Sequence, residues 1–244
     1  MAESETDSDA ESDIPPVTLG FPMIRLTGIR KTFISPGGEP LTVLDGVGLD
    51  LAEGRSLAIQ GPSGSGKSTL LAILAGLERP SEGRVEVAGR QLDALSEREL
   101  SAFRARSLGF VFQSFHLLPH FSALQNVVIG AEIAGLDKPL ARSREALERV
   151  GLGERLSHLP AQLSGGECQR VAIARAIVAR PPVVLCDEPT GSLDPANAEK
   201  VFRLILDLHR DLGSTLVLVT HDPILAAAME GQLRLERGRV REPG

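Results

Sequence analysis

The chain has 244 residues, of which 42% are hydrophobic and 24% charged, with 26 Lys and Arg against 32 Asp and Glu. That size suits one large α/β domain or two small ones, and no stretch approaches the about 18 uninterrupted apolar residues of a spanning helix. Six of the acids and no base fall in residues 1–13, the reverse of a signal peptide's positive start, so neither export nor membrane integration is expected, and the neutral body beyond them argues against nucleic-acid binding.

Residues 1–13 are almost devoid of apolar groups and are expected to be disordered. Residues 24–34 and 41–51 read as strands separated by the Ser35-Pro36-Gly37-Gly38 turn signal. A short apolar run at 56–60 precedes a Gly-rich loop, a helix is expected over 67–77, and 83–88 is another strand. Ser96 and Glu99 form a capping-box pattern ahead of a helix over 100–106. A strand at 108–112 is followed by helices at 122–134 and 140–150. A long helix over 164–179 ends before Pro181-Pro182. The apolar run 183–186 has the look of a strand covered on both faces. An amphipathic helix over 195–212, a strand at 215–220, a helix at 223–229 and a small hairpin at 233–240 complete the chain. Alternation of this kind predicts a largely parallel sheet.

Three segments carry chemistry. Gly61-Pro62-Ser63-Gly64-Ser65-Gly66-Lys67-Ser68 fits G-x-x-x-x-G-K-[ST] between a strand and a helix. Its glycines let successive N–H groups converge on an anion at the new helix's positive end. Lys67 would reach the β- and γ-phosphates and Ser68 Oγ would ligate Mg²⁺. Second, the strand 183–186 runs into Asp187-Glu188, where ligands of open α/β sheets bind. Asp187 is placed to hold Mg²⁺ and Glu188 to polarise the water attacking a γ-phosphate. Third, Ser164-Gly165-Gly166-Glu167 opens the long helix. It satisfies a capping box, but capping does not ask for two glycines, each weaker than Ala in a helix by about 1 kcal/mol. An exposed Ser hydroxyl and free N–H groups there make a second anion site.

With these motifs in this order, the sequence resembles the ATP-binding-cassette (ABC) ATPases over about residues 23–241. The Walker A loop is 61–68, the Q-loop glutamine Gln113, the signature 163–167, the Walker B strand ends at Asp187-Glu188, the D-loop is 192–194 and the switch histidine is His221. The segments 109–115, 159–163 and 190–194 look like the lipoprotein-releasing and macrolide-exporter branch, from which Cys168 departs where that branch commonly has a longer polar side chain. The resemblance implies a phosphate-loop (P-loop) NTPase fold with a mostly parallel core sheet flanked by helices, an antiparallel β subdomain and a helical insert at about 90–165. It implies an ATPase domain over 21–241, ahead of which composition leaves a disordered acidic tail over 1–20.

The resemblance also assigns residues. ATP would be bound by Gly61, Pro62, Ser63, Gly64, Ser65, Gly66, Lys67, Ser68 and Thr69, with Phe33 stacked on the adenine. Ser164, Gly165, Gly166 and Asp194 would reach the nucleotide of a second, head-to-tail copy. Mg²⁺ would be held by Ser68, Asp187 and Gln113, and catalysis would fall to Glu188, His221 and Gln113, with His221 bonding the γ-phosphate and orienting the water of Glu188. Alternatives stand beside three of these readings: Phe33 as a core residue, Asp194 as the N-cap of the helix at Pro195, and Phe115, His116, Leu117 and Leu118 as core rather than as a face for a membrane partner. The other four histidines are expected at the surface, and Cys186 as a small buried hydrophobe. The implied protein is an ATP-hydrolysing homodimer on the cytoplasmic face of a bacterial inner membrane, attached through a separate permease of the lipoprotein-release or macrolide-export kind. A regulatory module that moves a periplasmic hydrolase stays open. A soluble cassette acting on DNA or ribosomes fits poorly, since the chain has neither a long heptad segment nor a basic excess.

Overall fold

The computed structural model describes residues 22–241; the expected disordered tail and the last three residues lie outside the described residues. Two sheets form. Strands β1 (Ile24–Ile34), β2 (Pro40–Leu51), β4 (Glu82–Val87) and the two-residue β5 (Arg90–Gln91) make an antiparallel sheet of order β2-β1-β4-β5. Strands β3 (Ser56–Gln60), β6 (Leu108–Phe112), β7 (Val183–Asp187), β8 (Thr215–Val219), β9 (Gly231–Glu236) and β10 (Arg239–Arg241) make the second, of order β10-β9-β3-β8-β7-β6. In this second sheet β9, β3, β8, β7 and β6 are mutually parallel and only β10 turns back.

The parallel sheet is buried on both faces, as the continuous apolar runs predict. Leu57, Ile59, Val183, Leu185, Val217 and Val219 point to one face, into a core shared with the antiparallel sheet, with Leu70, Leu71, Ile73 and Leu74 of α1 (Lys67–Leu74), and with Leu100 and Phe103 of α2 (Glu97–Ser107). Ala58, Val111, Val184, Cys186, Leu216 and Leu218 point to the other. There they meet α3 (Ala123–Ile133), α4 (Pro139–Arg149), α5 (Gly165–Ile177), α6 (Pro195–Leu212) and the short α7 (Pro223–Ala227). This alternation is the period-2 signature of a strand. Cys186 is fully buried, and burial pushes its thiol up to about 12, as suits a small hydrophobe. The stretch 90–165 holds β6 of the core sheet as well as α2 to α4.

Local differences from the sequence reading have physical causes. Helix α1 stops at Leu74 rather than 77 because Gly76 turns left-handed, at φ 61, and its amide closes on Ile73 O. Helix α5 stops at Ile177 rather than 179 because Arg180 leaves helical space at φ 50. Strand β5 went unread because its turn places Ala88 at φ 48 beside Gly89, a conformation an Ala rarely announces. The capping box at α2 forms as expected, with Ser96 Oγ accepting from Glu99 N at 3.4 Å and Glu99 Oε2 from Ser96 N at 2.9 Å. Of the four histidines expected at the surface, His116 and His120 are exposed, but His158 and His209 are half-buried. His209 Nδ1 lies 2.6 Å from Ser214 O, tying the end of α6 to the turn that follows it.

Candidate functional site

Register builds the site. Ile59 lies beside Val219, Val219 beside Asp187, and Asp187 beside Phe112. The carboxyl ends of β3, β8, β7 and β6 therefore stop at one level, and the residues that follow each strand must converge. They do so in a cleft of about 770 Å³ lined by the Gly61–Thr69 loop, Gln113, Asp187, Glu188 and His221, with Leu41 and Val43 from β2. Gly61 sits so close to β9 that a Cβ would fall 2.1 Å from Leu235 O, so only glycine closes this turn. Lys67 Nζ donates to Gly61 O at 2.8 Å and to Pro62 O at 2.9 Å, which folds the loop around the ammonium.

Ser65 is the exception within the loop: it lies beneath the cleft wall, buried, with its N–H donated to Pro62 O at 3.2 Å and its Oγ lacking any hydrogen-bond partner. A buried unpaired hydroxyl costs stability, so Ser65→Ala should keep or raise the unfolding free energy, by up to about 1–2 kcal/mol. Urea unfolding checks this; a loss of stability would mean that the hydroxyl has a partner in the functional protein.

Asp187 and Glu188 differ by environment. Burial raises the Asp187 carboxyl above the usual range; the Ser68 hydroxyl and Lys67 oppose that shift, and neighbouring Glu188 adds to it. A half-buried carboxylate, a hydroxyl and the Gln113 amide are hard oxygen donors facing one cleft, a donor set that fits a small divalent cation sharing its shell with phosphate and water. Glu188 adopts a left-handed backbone at φ 47, fixed by its N–H on Val219 O at 3.0 Å and by its O accepting from Gly191 N at 3.0 Å. Such a conformation is costly for a non-glycine and marks a position over-determined by its surroundings. His221 Nδ1 lies 2.5 Å from Glu188 Oε2, with the imidazole largely exposed and the carboxylate mostly covered. The histidine thus meets Glu188 itself, whereas the sequence reading aimed it first at a phosphate.

The remaining site residues lie outside the cleft. Phe33 pairs across the sheet with Leu41, a cleft residue, and is itself part-exposed, with Lys31 Nζ 4.8 Å from its ring centroid. Ser164 and Gly165 are exposed at the start of α5. The capping box closes fully there: Ser164 Oγ accepts from Glu167 N at 3.3 Å, and Glu167 Oε2 accepts from Ser164 N and Oγ, each at 2.8 Å. Those bonds hold the Glu167 carboxyl below its usual range. Gly166 is buried, and a Cβ on it would lie 3.1 Å from Asn197 Oδ1. Its lack of a side chain is explained within this chain by packing on α6, while a Cβ on the exposed Gly165 would make only ordinary contact, with Leu193 Cδ2 at 3.4 Å and Phe115 Cζ at 3.8 Å. Asp194 caps α6, accepting from Asn197 N at 3.1 Å and from Asn197 Nδ2 at 2.6 Å, which lowers its carboxyl's pKa. Leu117 packs against the core and Leu118 is exposed, so the segment after Gln113 divides between the two roles weighed for it.

Sequence reasoning missed one residue at the centre of the arrangement. Gln169, fully buried on α5, donates from Nε2 to Phe112 O at 3.1 Å and to Pro189 O at 2.6 Å. Its signal was a polar residue on the apolar face of a helix, visible only once the face is known.

Known proteins resemble this chain in sequence and in fold. The ABC transporter family model matches residues 44–191, more than half of the chain. A protein of Bordetella pertussis named lipoprotein-releasing system ATP-binding protein LolD is 52% identical over 221 residues, covering 90% of this chain and 95% of its own. The protein of that name from Shewanella oneidensis is 48% identical over 223 residues, covering 91% and 96%. Among solved structures, the dimeric bacterial ABC transporter cassette MJ0796 superposes with a TM-score of 0.83 at 39% identity, over 90% of this chain and 97% of that one. A post-hydrolysis dimer of MJ0796 bound to ADP and Pi gives 0.82 at 38% identity, with the same coverage. The chain belongs to the ABC transporter family, of which it is an ATP-binding cassette with the fold of the family's ATPases.

Proposed function

We propose that this cassette hydrolyses ATP as a head-to-tail homodimer and drives a separate membrane permease in lipoprotein release. The observation that carries the reading is a division of labour within one chain. The cleft gathers Gly61–Gly64, Gly66–Thr69, Gln113, Asp187, Glu188 and His221, while Ser164, Gly165 and Asp194 are exposed outside it. A second copy set head to tail would bring the latter group onto the first copy's nucleotide. The similarity to proteins named for lipoprotein release supports the substrate class. Among the described residues no helix is long and apolar enough to cross a membrane, which fits a cassette that reaches a bilayer through a partner. The cytoplasmic face of the inner membrane is its natural place, where ATP is supplied. We read residues 21–241 as the ATPase domain, with its helical insert at about 90–165.

In this mechanism Phe33 stacks on the adenine, and the loop amides with Lys67 hold the β- and γ-phosphates. Ser68, Asp187 and Gln113 would hold Mg²⁺, which when bound neutralises charge developing on the phosphates. Glu188 takes a proton from the water that attacks the γ-phosphorus in line, while the bond from that phosphorus to the β–γ bridging oxygen breaks and ADP leaves. His221, bonded to Glu188, fixes that carboxylate's direction in the way the third member of a triad orients a base. Hydrolysis removes a ligand shared by two copies, loosening the dimer and releasing stored binding energy to the permease.

Dimerisation gives the test. Specific ATPase activity of the full-length protein should rise with its concentration and then saturate, as a monomer–dimer equilibrium requires, and a membrane protein should co-purify from detergent extract. Specific activity that stays constant on dilution to nanomolar protein would overturn the dimer. Failure of a lipoprotein-release assay with the reconstituted complex would overturn the substrate class and leave the ATPase reading intact.

A further inference from the structure

Helix α5 grips the chain on both sides of Gln113. On one side Gln169 Nε2 holds Phe112 O, and the same amide also holds Pro189 O, one residue after Glu188. On the other side Arg175 donates from Nη1 to His116 O at 2.7 Å and from Nη2 to Phe115 O at 2.9 Å. Phe115 and His116 are both left-handed, at φ 41 and 47, so two adjacent non-glycine residues sit in costly backbone space. A planar guanidinium fork suits such a pair of neighbouring carbonyls, because one rigid group fixes both at once.

Stability alone gives a poor account of these two side chains. Gln169 Oε1 is buried without a partner. Arg175 spends both contacts on carbonyl oxygens and none on a carboxylate among the described residues, and burial lowers its pKa. An apolar side chain at either position would leave backbone carbonyls without these donors, a desolvation cost that only the replacement of both partners avoids. What they do secure is the path of the backbone immediately before and after Gln113.

We propose that Gln169 and Arg175 are positioning residues that suspend Gln113 from the signature helix, so that a displacement at the start of α5 carries the Gln113 amide with it. This deepens, and rests on, the reading of Gln113 as a group that touches Mg²⁺ and the attacking water. Its consequence is communication. Ser164 and Gly165 lie at the head of the same helix, so their engagement with the partner copy's nucleotide shifts Gln113 in this copy's own cleft.

The experiment uses the full-length protein with Gln169→Met, Arg175→Met and Arg175→Lys, beside Gln113→Ala and the Gln113→Ala/Arg175→Met double variant. Methionine matches Gln169 in length without its hydrogen bonds and keeps the apolar stem of Arg175 without the guanidinium, and the carbonyls of Phe115 and His116, which are not fully buried, can rehydrate. We expect kcat to fall about tenfold in the Met variants, the scale of a small misplacement of a reacting group. KM for ATP should stay within about twofold, since ground-state binding is untouched, and the thermal midpoint should fall by no more than about 10 °C, the scale set by the carbonyls left unpaired. Arg175→Lys should stay impaired, because an ammonium cannot span two carbonyls as a fork, and the double variant should be no slower than Gln113→Ala. Wild-type kcat in both Met variants beside an impaired Gln113→Ala would overturn the proposal, as would losses that multiply in the double variant or a parallel collapse of KM and melting. A fully active Gln113→Ala would instead overturn the role of Gln113, and the proposal with it.

Discussion

Glu188→Gln should bind ATP normally, turn it over about 10²- to 10⁴-fold more slowly, and accumulate as an ATP-bound dimer. The lower rate is the typical loss when a general base is removed. The substitution changes little else. Gln has the same length and branching, it inherits the same left-handed backbone at φ 47, and its amide still meets His221. The cleft residues that hold phosphate, Lys67 and Ser68 among them, are untouched. Binding free energy from the nucleotide then stabilises the dimer without the step that discharges it. Size-exclusion chromatography with ATP and Mg²⁺ should show a dimer that persists for the length of the run, beside a monomer without nucleotide. A variant that elutes as monomer with ATP and hydrolyses at the wild-type rate would place the base elsewhere. His221→Ala is the informative companion. If the imidazole serves to aim Glu188, its loss lowers kcat and leaves ATP affinity unchanged.

Much of this arrangement was legible in the sequence because its signals are local. A phosphate loop needs glycines at fixed offsets, and a doubly covered strand needs an unbroken apolar run; both are written within ten residues. The strand ends at Gln113, Asp187 and His221 could be found by the same reading, and the sheet register then forces them together. What stayed hidden depends on residues far apart in the chain. The two glycines after Ser164 invited one explanation, close approach of a ligand, but they divide: a Cβ on Gly166 would be crowded by Asn197, whereas one on the exposed Gly165 would make ordinary contact with Leu193 and Phe115. Gln169 and Arg175 read as helix positions among many. Their partners lie 57 to 60 residues earlier, apart from Pro189, and no local pattern announces a bond to a backbone carbonyl. His221 was placed correctly at a strand end, yet its immediate partner is a side chain set by the unusual backbone of Glu188.

Ser164→Arg separates the two halves of the proposed composite site more sharply than any change in the cleft. Ser164 lies outside the cleft of its own chain, so a monomer carrying the substitution should bind ATP with unchanged affinity. Its cost to the fold is bounded. Loss of the Ser cap is worth about 0.5–2 kcal/mol, and a cation at the positive end of α5 adds about 0.3–1 kcal/mol. The bond from Ser164 N to Glu167 needs only the backbone and survives. The sum is well below the about 5–15 kcal/mol that holds an ordinary domain together, so the variant should fold. Activity should nonetheless vanish, because a long cation now stands where the head of α5 would meet the partner's nucleotide. Equilibrium binding of ATP to the isolated monomer and steady-state turnover measure the two effects apart, and weakened monomer binding would mean that this helix start acts within its own chain. Mixing makes the distinction sharper still. If each nucleotide is held by two copies, mixing Ser164→Arg protein with a Lys67→Ala variant, each inactive alone, builds mixed dimers in which the intact phosphate loop of one chain meets the intact helix start of the other, and activity appears on mixing. If each chain works alone, the mixture stays as inactive as its two parts.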